Sequence, residues 1–216
     1  MKKKIAILGS TGSIGKTLFK ILKNDKTNFD IRLLAADKNI KELLKQVKIF
    51  KVKNIIVTNP KKFLQLKKIL KNKKINIFND FKCFSKIFKN KKIDYTMNSL
   101  SGLNGLKPTL DIIKFTKYIA IANKESIICG WSLIKNELKK NKTEFIPIDS
   151  EHFSIWSLTK NIKNENIDKI YITASGGPFL SLPLNKFKSI NSKSALNHPN
   201  WKMGKKISID SATMMN

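Results

Sequence analysis

Lys4-Ile5-Ala6-Ile7-Leu8-Gly9-Ser10-Thr11-Gly12-Ser13-Ile14-Gly15-Lys16 is the stretch that decides the fold. Lys4–Leu8 reads as a buried strand. Across Lys16–Lys23 the apolar residues Leu18, Ile21 and Leu22 fall at the spacing of one helix face. Strand, glycine turn and helix in succession form the context that dinucleotide binding requires. Gly9 permits the tight turn, Gly12 lets backbone approach a pyrophosphate, and Gly15 lets the helix pack closely on the strand. The helix N-terminus adds free N–H groups and the positive end of its dipole. The spacing is G-x-x-G-x-x-G, a variant of the commoner G-x-G-x-x-G, and a plain βα turn is the alternative reading.

Outward from this turn the alternation continues. Ile31–Ala36, Asn54–Val57, Ile75–Phe78, Tyr95–Asn98 and Tyr118–Ile121 read as strands, and another apolar run ends at Ile146. Ile40–Phe50 and Lys61–Leu70 read as helices, the latter after the breaker Asn59-Pro60. Strands alternating with helices predict an α/β fold, a Rossmann-like parallel sheet domain covered on both faces. We place that domain at residues 1–149 and the first part of an α/β catalytic domain at 150–216.

The chain of 216 residues carries a formal net charge of +28, almost all of it lysine, since Arg32 is the only arginine. The lysines are spread evenly and accompanied by frequent Asn and Ile. Such a surface lacks the bidentate guanidinium contacts of base and phosphate readers. No specific nucleic-acid partner is expected, although polyanions would be attracted at low salt. Runs such as Lys71–Lys74 and Lys89–Lys92 read as solvated loops. No apolar run reaches the about 18–20 residues that span a bilayer, and Ile5–Leu8 is too short for a signal-peptide core. A cytoplasmic protein with no membrane partner is expected. Cys83 and Cys129 have no metal-ligand spacing and read as small core residues.

Four further stretches carry chemistry. In Pro147-Ile148-Asp149-Ser150-Glu151-His152, an extended backbone would turn Asp149 and Glu151 to one face and make an oxygen site for Mg2+ or Mn2+. A helix cap is the other reading of the same residues. Ala122-Asn123-Lys124-Glu125-Ser126 follows a strand, where a lysine can neutralise a substrate oxyanion or a helix simply begins. Tyr171–Ala174 reads as a strand leading into Ser175-Gly176-Gly177-Pro178-Phe179, a turn whose amides and serine suit a phosphate. Asn197-His198-Pro199-Asn200-Trp201-Lys202-Met203-Gly204 has the composition of a lid over substrate, with core packing the alternative for Trp201. Cofactor choice stays open on the residues: Asp37 favours the ribose hydroxyl of NAD, and Lys38 favours the 2′-phosphate of NADP.

Taken in order, G-S-T-G-S-I-G, A-N-K-E-S, P-I-D-S-E-H, A-S-G-G-P-F, H-P-N-W-K-M-G-K-K-I and D-S-A-T-M-M-N resemble the 1-deoxy-D-xylulose-5-phosphate reductoisomerase family across essentially the whole chain. The resemblance implies an NADPH- and Mg2+- or Mn2+-dependent enzyme of non-mevalonate isoprenoid synthesis. Such an enzyme rearranges the carbon skeleton of a phosphorylated sugar and reduces the resulting aldehyde to 2-C-methyl-D-erythritol 4-phosphate. It implies Asp149 and Glu151 as metal ligands and Lys124 and Ser150 on the substrate's oxygens. Ser175, His198, Ser211 and Asn216 would hold its phosphate and hydroxyls, with Trp201 and Met203 as cover. Thr11, Gly12, Ser13, Ile14, Lys38, Asn39, Asn123, Glu125 and Gly204 fall on the NADPH positions, and the intact protein would be a homodimer.

Two departures stand out. Asp37 replaces a glycine of the family pattern, and the pattern continues past Asn216 with Lys-Gly-Leu-Glu, which carries a phosphate ligand and the third metal carboxylate. Two other readings differ in class. One is another NAD(P)-dependent small-substrate dehydrogenase of the semialdehyde type, which needs a catalytic cysteine that neither Cys83 nor Cys129 resembles. The other is a non-catalytic nucleotide- or polyanion-binding fragment. With two of three metal carboxylates, the 216 residues are expected to show little or no substrate-dependent NADPH oxidation with Mg2+; normal turnover in that assay refutes the expectation.

Overall fold

The computed structural model describes the chain except for residues 90, 173–175, 203 and 214–216 and the side chains of 150 and 206. It divides into two compact units, Met1–Asn161 and Ile162–Asn216.

The first unit alternates strand and helix: β1 (Lys3–Leu8), α1 (Ser13–Asn24), β2 (Phe29–Ala36), α2 (Ile40–Phe50), β3 (Asn54–Val57), α3 (Pro60–Ile69) and β4 (Asn76–Phe78). It continues with α4 (Phe84–Phe88), β5 (Ile93–Asn98), α5 (Leu106–Ile113), β6 (Thr116–Ile121), α6 (Lys124–Asn141), β7 (Glu144–Pro147) and α7 (Ser150–Thr159). The strands form one sheet in the order β4-β3-β2-β1-β5-β6-β7, and every pairing is parallel. The α/β reading therefore holds, with each expected strand of the first unit present and its ends moved by a residue or two. Helix α3 begins at Pro60 because Pro needs no N–H partner at the first helical position, while Asn59 caps it by accepting the Lys62 N–H.

Side chains of β1 alternate between two cores. Ile5 and Ile7 join Phe19, Leu22, Leu34, Leu43 and Val47 on one face; Ala6 and Leu8 join Leu33, Phe84, Ile112 and Ile119 on the other. The register slips between Ile5, opposite Ile31, and Ala6, opposite Leu33. The extra residue is Arg32, which this bulge turns outward to pair with Asp30 at 3.1 Å. An inner strand thus carries the sole arginine without burying its charge.

Two sequence expectations are corrected here. Cys83 is buried, its thiol pushed up to about 12 by desolvation and by Asp80, but Cys129 is exposed on the outer side of α6. Lys92 is not a free loop lysine: its ammonium donates to the Asn141 carbonyl and to Thr143 Oγ1, tying the start of β5 to the end of α6.

The second unit contains short 3₁₀ turns, α8 (Ser192–Ala195) and α9 (Lys205–Ala212). Its buried residues, among those described, are Gly177, His198, Ser208 and Ser211. The strand expected at Tyr171–Ala174 is not formed at Tyr171 and Ile172, which are exposed and pair with no strand among the described residues; 173 and 174 lie outside the description. Apolar content alone does not make a strand without a partner ladder.

At the amino edge of the sheet Asp94 of β5 links both neighbours. Its Oδ2 accepts the Lys4 N–H of β1 at 2.9 Å and its Oδ1 the Lys117 ammonium of β6 at 2.9 Å. The Lys4 N–H first, and then Lys117, hold its carboxyl below the ordinary 3.8. A depressed carboxyl contributes stability that is present above that ordinary value and is lost as pH falls through the folded value. Urea midpoints should therefore drop for the native chain as pH is lowered below about 4, and Asp94→Asn should flatten that drop while lowering the midpoint at neutral pH.

Candidate active site

The strand order reverses at β1, which has β2 on one side and β5 on the other. Open parallel sheets bind ligands at such a switch point, beyond the carboxyl ends of the strands. Leu8 and Asn98 are register partners there, and the loops that follow them are locked together. The Ser99 N–H donates to the Leu8 carbonyl at 2.9 Å, and its hydroxyl reaches the same oxygen at 2.8 Å.

Gly9 has φ +79°, and a Cβ on it would lie 2.5 Å from the Ser99 carbonyl oxygen. A Cβ on Gly15 would lie 2.4 Å from the Gly9 carbonyl oxygen. Both atoms are backbone and cannot step aside, so glycine is required at both positions. Helix α1 then starts at Ser13 with Gly12 as an N-cap that has no side chain to occupy the helix end, and with no acidic residue in the first turn. The N–H groups of this turn have no preceding helical carbonyl, and Gly12, Ser13 and Ile14 are exposed while Thr11 is half-buried. This cradle fits a phosphate: donors converge, a positive dipole end is open, and no carboxylate competes. An open cavity of about 330 Å³ runs beside it, lined by Ser13, Ile14, Thr17, Tyr95, Met97 and Ile148 among others. Burial pushes the Tyr95 hydroxyl up to about 12, so this wall stays uncharged.

Sequence reasoning missed the polar groups that fix these loops. Gln46, fully buried in α2, donates to the Ser10 carbonyl at 2.9 Å and braces the glycine turn from below. Asn98, also fully buried, donates to Thr109 Oγ1 and accepts the Leu100 N–H at 3.2 Å. The available signal was a polar residue inside an apolar face, such as Gln46 between Leu43 and Val47.

Asn123, Lys124 and Glu125 follow β6, and Asp149, Ser150 and Glu151 follow β7. Ile121 and Pro147 are register partners, so both groups leave the same edge on adjacent strands. Asn123 is almost wholly buried; it caps α6 by accepting the Ser126 N–H at 2.9 Å and donates to the Gly102 carbonyl at 2.8 Å. Lys124 and Glu125 are half-buried in the first turn of α6. The extended geometry expected for Asp149 and Glu151 is corrected. Asp149 is extended, but Ser150 begins α7, so Glu151 lies in a helical first turn. Asp149 Oδ1 accepts the His152 N–H at 2.7 Å and stands 2.7 Å from His152 Nδ1. An aspartate there satisfies an otherwise orphan helix N–H, which is why the cap wins over the strand. Both carboxylates stand at the start of α7, two residues apart in the chain, and the described residues hold no group of three His, Cys, Asp or Glu side chains that could hold a metal ion. A divalent cation on this pair would complete its shell with water and substrate oxygens.

On β2's carboxyl end, Lys38 is exposed and Asn39 caps α2 through the Glu42 N–H at 3.1 Å.

In the second unit, His198 is buried and its Nδ1 accepts the N–H groups of Asn200 and Trp201, each at 3.1 Å. That leaves the ring proton on Nε2. Gly177 has φ +61°, and a Cβ on it would lie 2.8 Å from the Ser211 carbonyl oxygen, so the glycine turn rests on the backbone of α9 beside buried Ser211. Trp201 is exposed and Gly204 is the N-cap of α9. Ser175, Met203 and Asn216, and the side chain of Ser150, lie outside the described residues.

The family model described as 1-deoxy-D-xylulose 5-phosphate reductoisomerase matches residues 5–130, and that of its C-terminal domain matches 145–216. The reductoisomerase of Pelagibacter ubique (strain HTCC1062) is 66% identical over 215 residues, which are 99% of this chain and 55% of that protein. The one from Halothermothrix orenii is 38% identical over 216 residues, covering 100% and 56%. Among solved structures, the Zymomonas mobilis reductoisomerase in complex with NADPH superposes with TM-score 0.88 at 31% identity, over 100% of this chain and 55% of that one. A reductoisomerase in complex with NADPH, fosmidomycin and magnesium gives 0.83 at 32% identity, over 99% and 55%. The chain spans about half the length of these relatives.

Asn123→Ala removes a helix cap and the side-chain donor to the Gly102 carbonyl, which also accepts the Gly105 N–H. Urea unfolding should report a loss of about 2 kcal/mol, with Asn123→Asp, which keeps the cap oxygen, losing less.

Proposed function

This chain belongs to the 1-deoxy-D-xylulose 5-phosphate reductoisomerase family, and on that premise we propose that it supplies the nucleotide- and substrate-binding portion of an enzyme that rearranges and reduces 1-deoxy-D-xylulose 5-phosphate to 2-C-methyl-D-erythritol 4-phosphate. Residues 1–149 form the NADPH domain and 150–216 the first part of the catalytic domain. The intact protein is a cytoplasmic homodimer without a specific nucleic-acid partner. No helix among the described residues is long and apolar enough to cross a membrane.

One observation carries the reading: a phosphate cradle after β1, a lysine after β6 and two carboxylates after β7 line one carboxyl edge of one sheet. When bound, NADPH supplies hydride and Mg2+ or Mn2+ supplies Lewis acidity toward the substrate's oxygens. The chain's residues do the rest. Thr11, Gly12, Ser13 and Ile14 hold the pyrophosphate on the open turn of α1, with Lys38, Asn39, Asn123, Glu125 and Gly204 along the remainder of the cofactor. Asp149 and Glu151 hold the cation. Lys124 brings an ammonium to the oxygen that gains negative charge, and Ser150 donates beside it. His198, with its proton on Nε2, donates to the substrate, while Ser175, Ser211 and Asn216 engage its phosphate and hydroxyls. Trp201 and Met203 exclude water.

Calorimetric titration with NADPH tests the nucleotide half directly. The 216-residue chain should bind it, and Ser13→Glu, which brings a carboxylate to the cradle on an exposed position, should weaken binding at least about tenfold without lowering the melting temperature. Failure of the native chain to bind, or binding untouched by Ser13→Glu, overturns the proposal.

A further inference from the structure

Beyond the end of β2, Asp37, Lys38 and Asn39 occupy the place where a dinucleotide-binding sheet meets the adenine ribose. All three are exposed, yet they are differently engaged. Asn39 uses its carbonyl oxygen as the cap of α2. Asp37 is clamped from the adjacent strand: Thr58, one residue past β3, donates its hydroxyl to Asp37 Oδ1 at 2.9 Å. The Thr58 N–H donates to the Ala36 carbonyl at 3.1 Å, so hydroxyl and backbone together fix the end of β2 to the end of β3. Asp37 Oδ2 has no hydrogen-bond partner among the described residues, and Lys38 forms no ion pair among them.

A carboxylate held in one place has one oxygen left to accept a hydrogen bond. A ribose 2′-hydroxyl provides a donor for it; a 2′-phosphate provides only acceptors and a like charge. The adjacent Lys38 ammonium pulls the other way. With an anchored anion and a flexible cation side by side, neither form of the ribose is strongly rejected.

We propose that Asp37, clamped by Thr58, accepts the adenine-ribose 2′-hydroxyl and makes this chain a binder of both nicotinamide cofactors, taking NADH on terms close to those for NADPH. The inference rests on the dinucleotide reading of the glycine turn and adds to it the residue that sets cofactor preference, with Thr58 as its positioning residue.

Binding of NADPH and NADH to the 216-residue chain, followed by calorimetry and by nicotinamide fluorescence, needs no turnover. The native chain should favour NADPH by no more than about thirtyfold. Asp37→Asn, which keeps the shape and removes the charge, should widen the preference for NADPH by about tenfold, what one like charge at close range is worth in a wet site; Asp37→Gly should do the same. Thr58→Val should weaken NADH binding several-fold in the native background and have no further effect when combined with Asp37→Asn, a dependence that a merely structural threonine would not show. A native preference wider than about thirtyfold, or a ratio unmoved by both Asp37 variants, overturns the inference while leaving the dinucleotide reading in place. Absence of binding by either cofactor overturns that reading and the inference together.

Discussion

Everything at the carboxyl edge depends on a three-way approach of bare backbone. The end of β1, the loop after β5 and the first turn of α1 come so close at Gly9 and Gly15 that one methyl group at either would strike a main-chain atom. This closeness does two things at once. It seats α1 against the sheet, so that Phe19 and Leu22 reach the core, and it aims the uncapped helix end across the strand termini. Packing and the exposure of the helix end are here one constraint, and it requires glycine at both positions.

A belt of buried amides and hydroxyls then holds the neighbouring loops. Gln46 under the turn, Asn98 at the end of β5 and Asn123 after β6 each bond main-chain groups of the loops. A buried polar main-chain group without a partner costs about 1–3 kcal/mol, so each amide both stabilises the fold and removes freedom from its loop. The lysine surface contributes in another way. With a formal charge of +28, the chain attracts anions at a distance.

The fold was legible because apolar runs in parallel strands are continuous and the runs between them have helical spacing; Lys4–Leu8 and Ile31–Ala36 needed no other clue. The glycine turn was legible as a turn because its tight geometry is a backbone property. The extended geometry expected for Asp149 and Glu151 does not form, because a short D-S-E supports both strand alternation and a helix cap, and the cap satisfies an N–H that the strand does not need. Tyr171 and Ile172 stay outside any strand for a non-local reason: whether an apolar run becomes a strand depends on a partner that its own residues do not encode. Cys129 was misplaced because hydrophobic residue type does not say which side of a long helix faces out. The Thr58 clamp on Asp37 joins the residues that follow two different strands and could emerge only once β2 and β3 were aligned.

The sheet finishes in stubs. Its outer members are β4, of three residues, and β7, of four, the latter opening on Glu144 and closing on Pro147. A lateral strand that short presents few unpaired donors and acceptors to a passing chain, and its last position has no amide hydrogen to give. Seven parallel strands, the kind of assembly most exposed to runaway ladder growth while it forms, are thus guarded at both margins by brevity and by one imino acid.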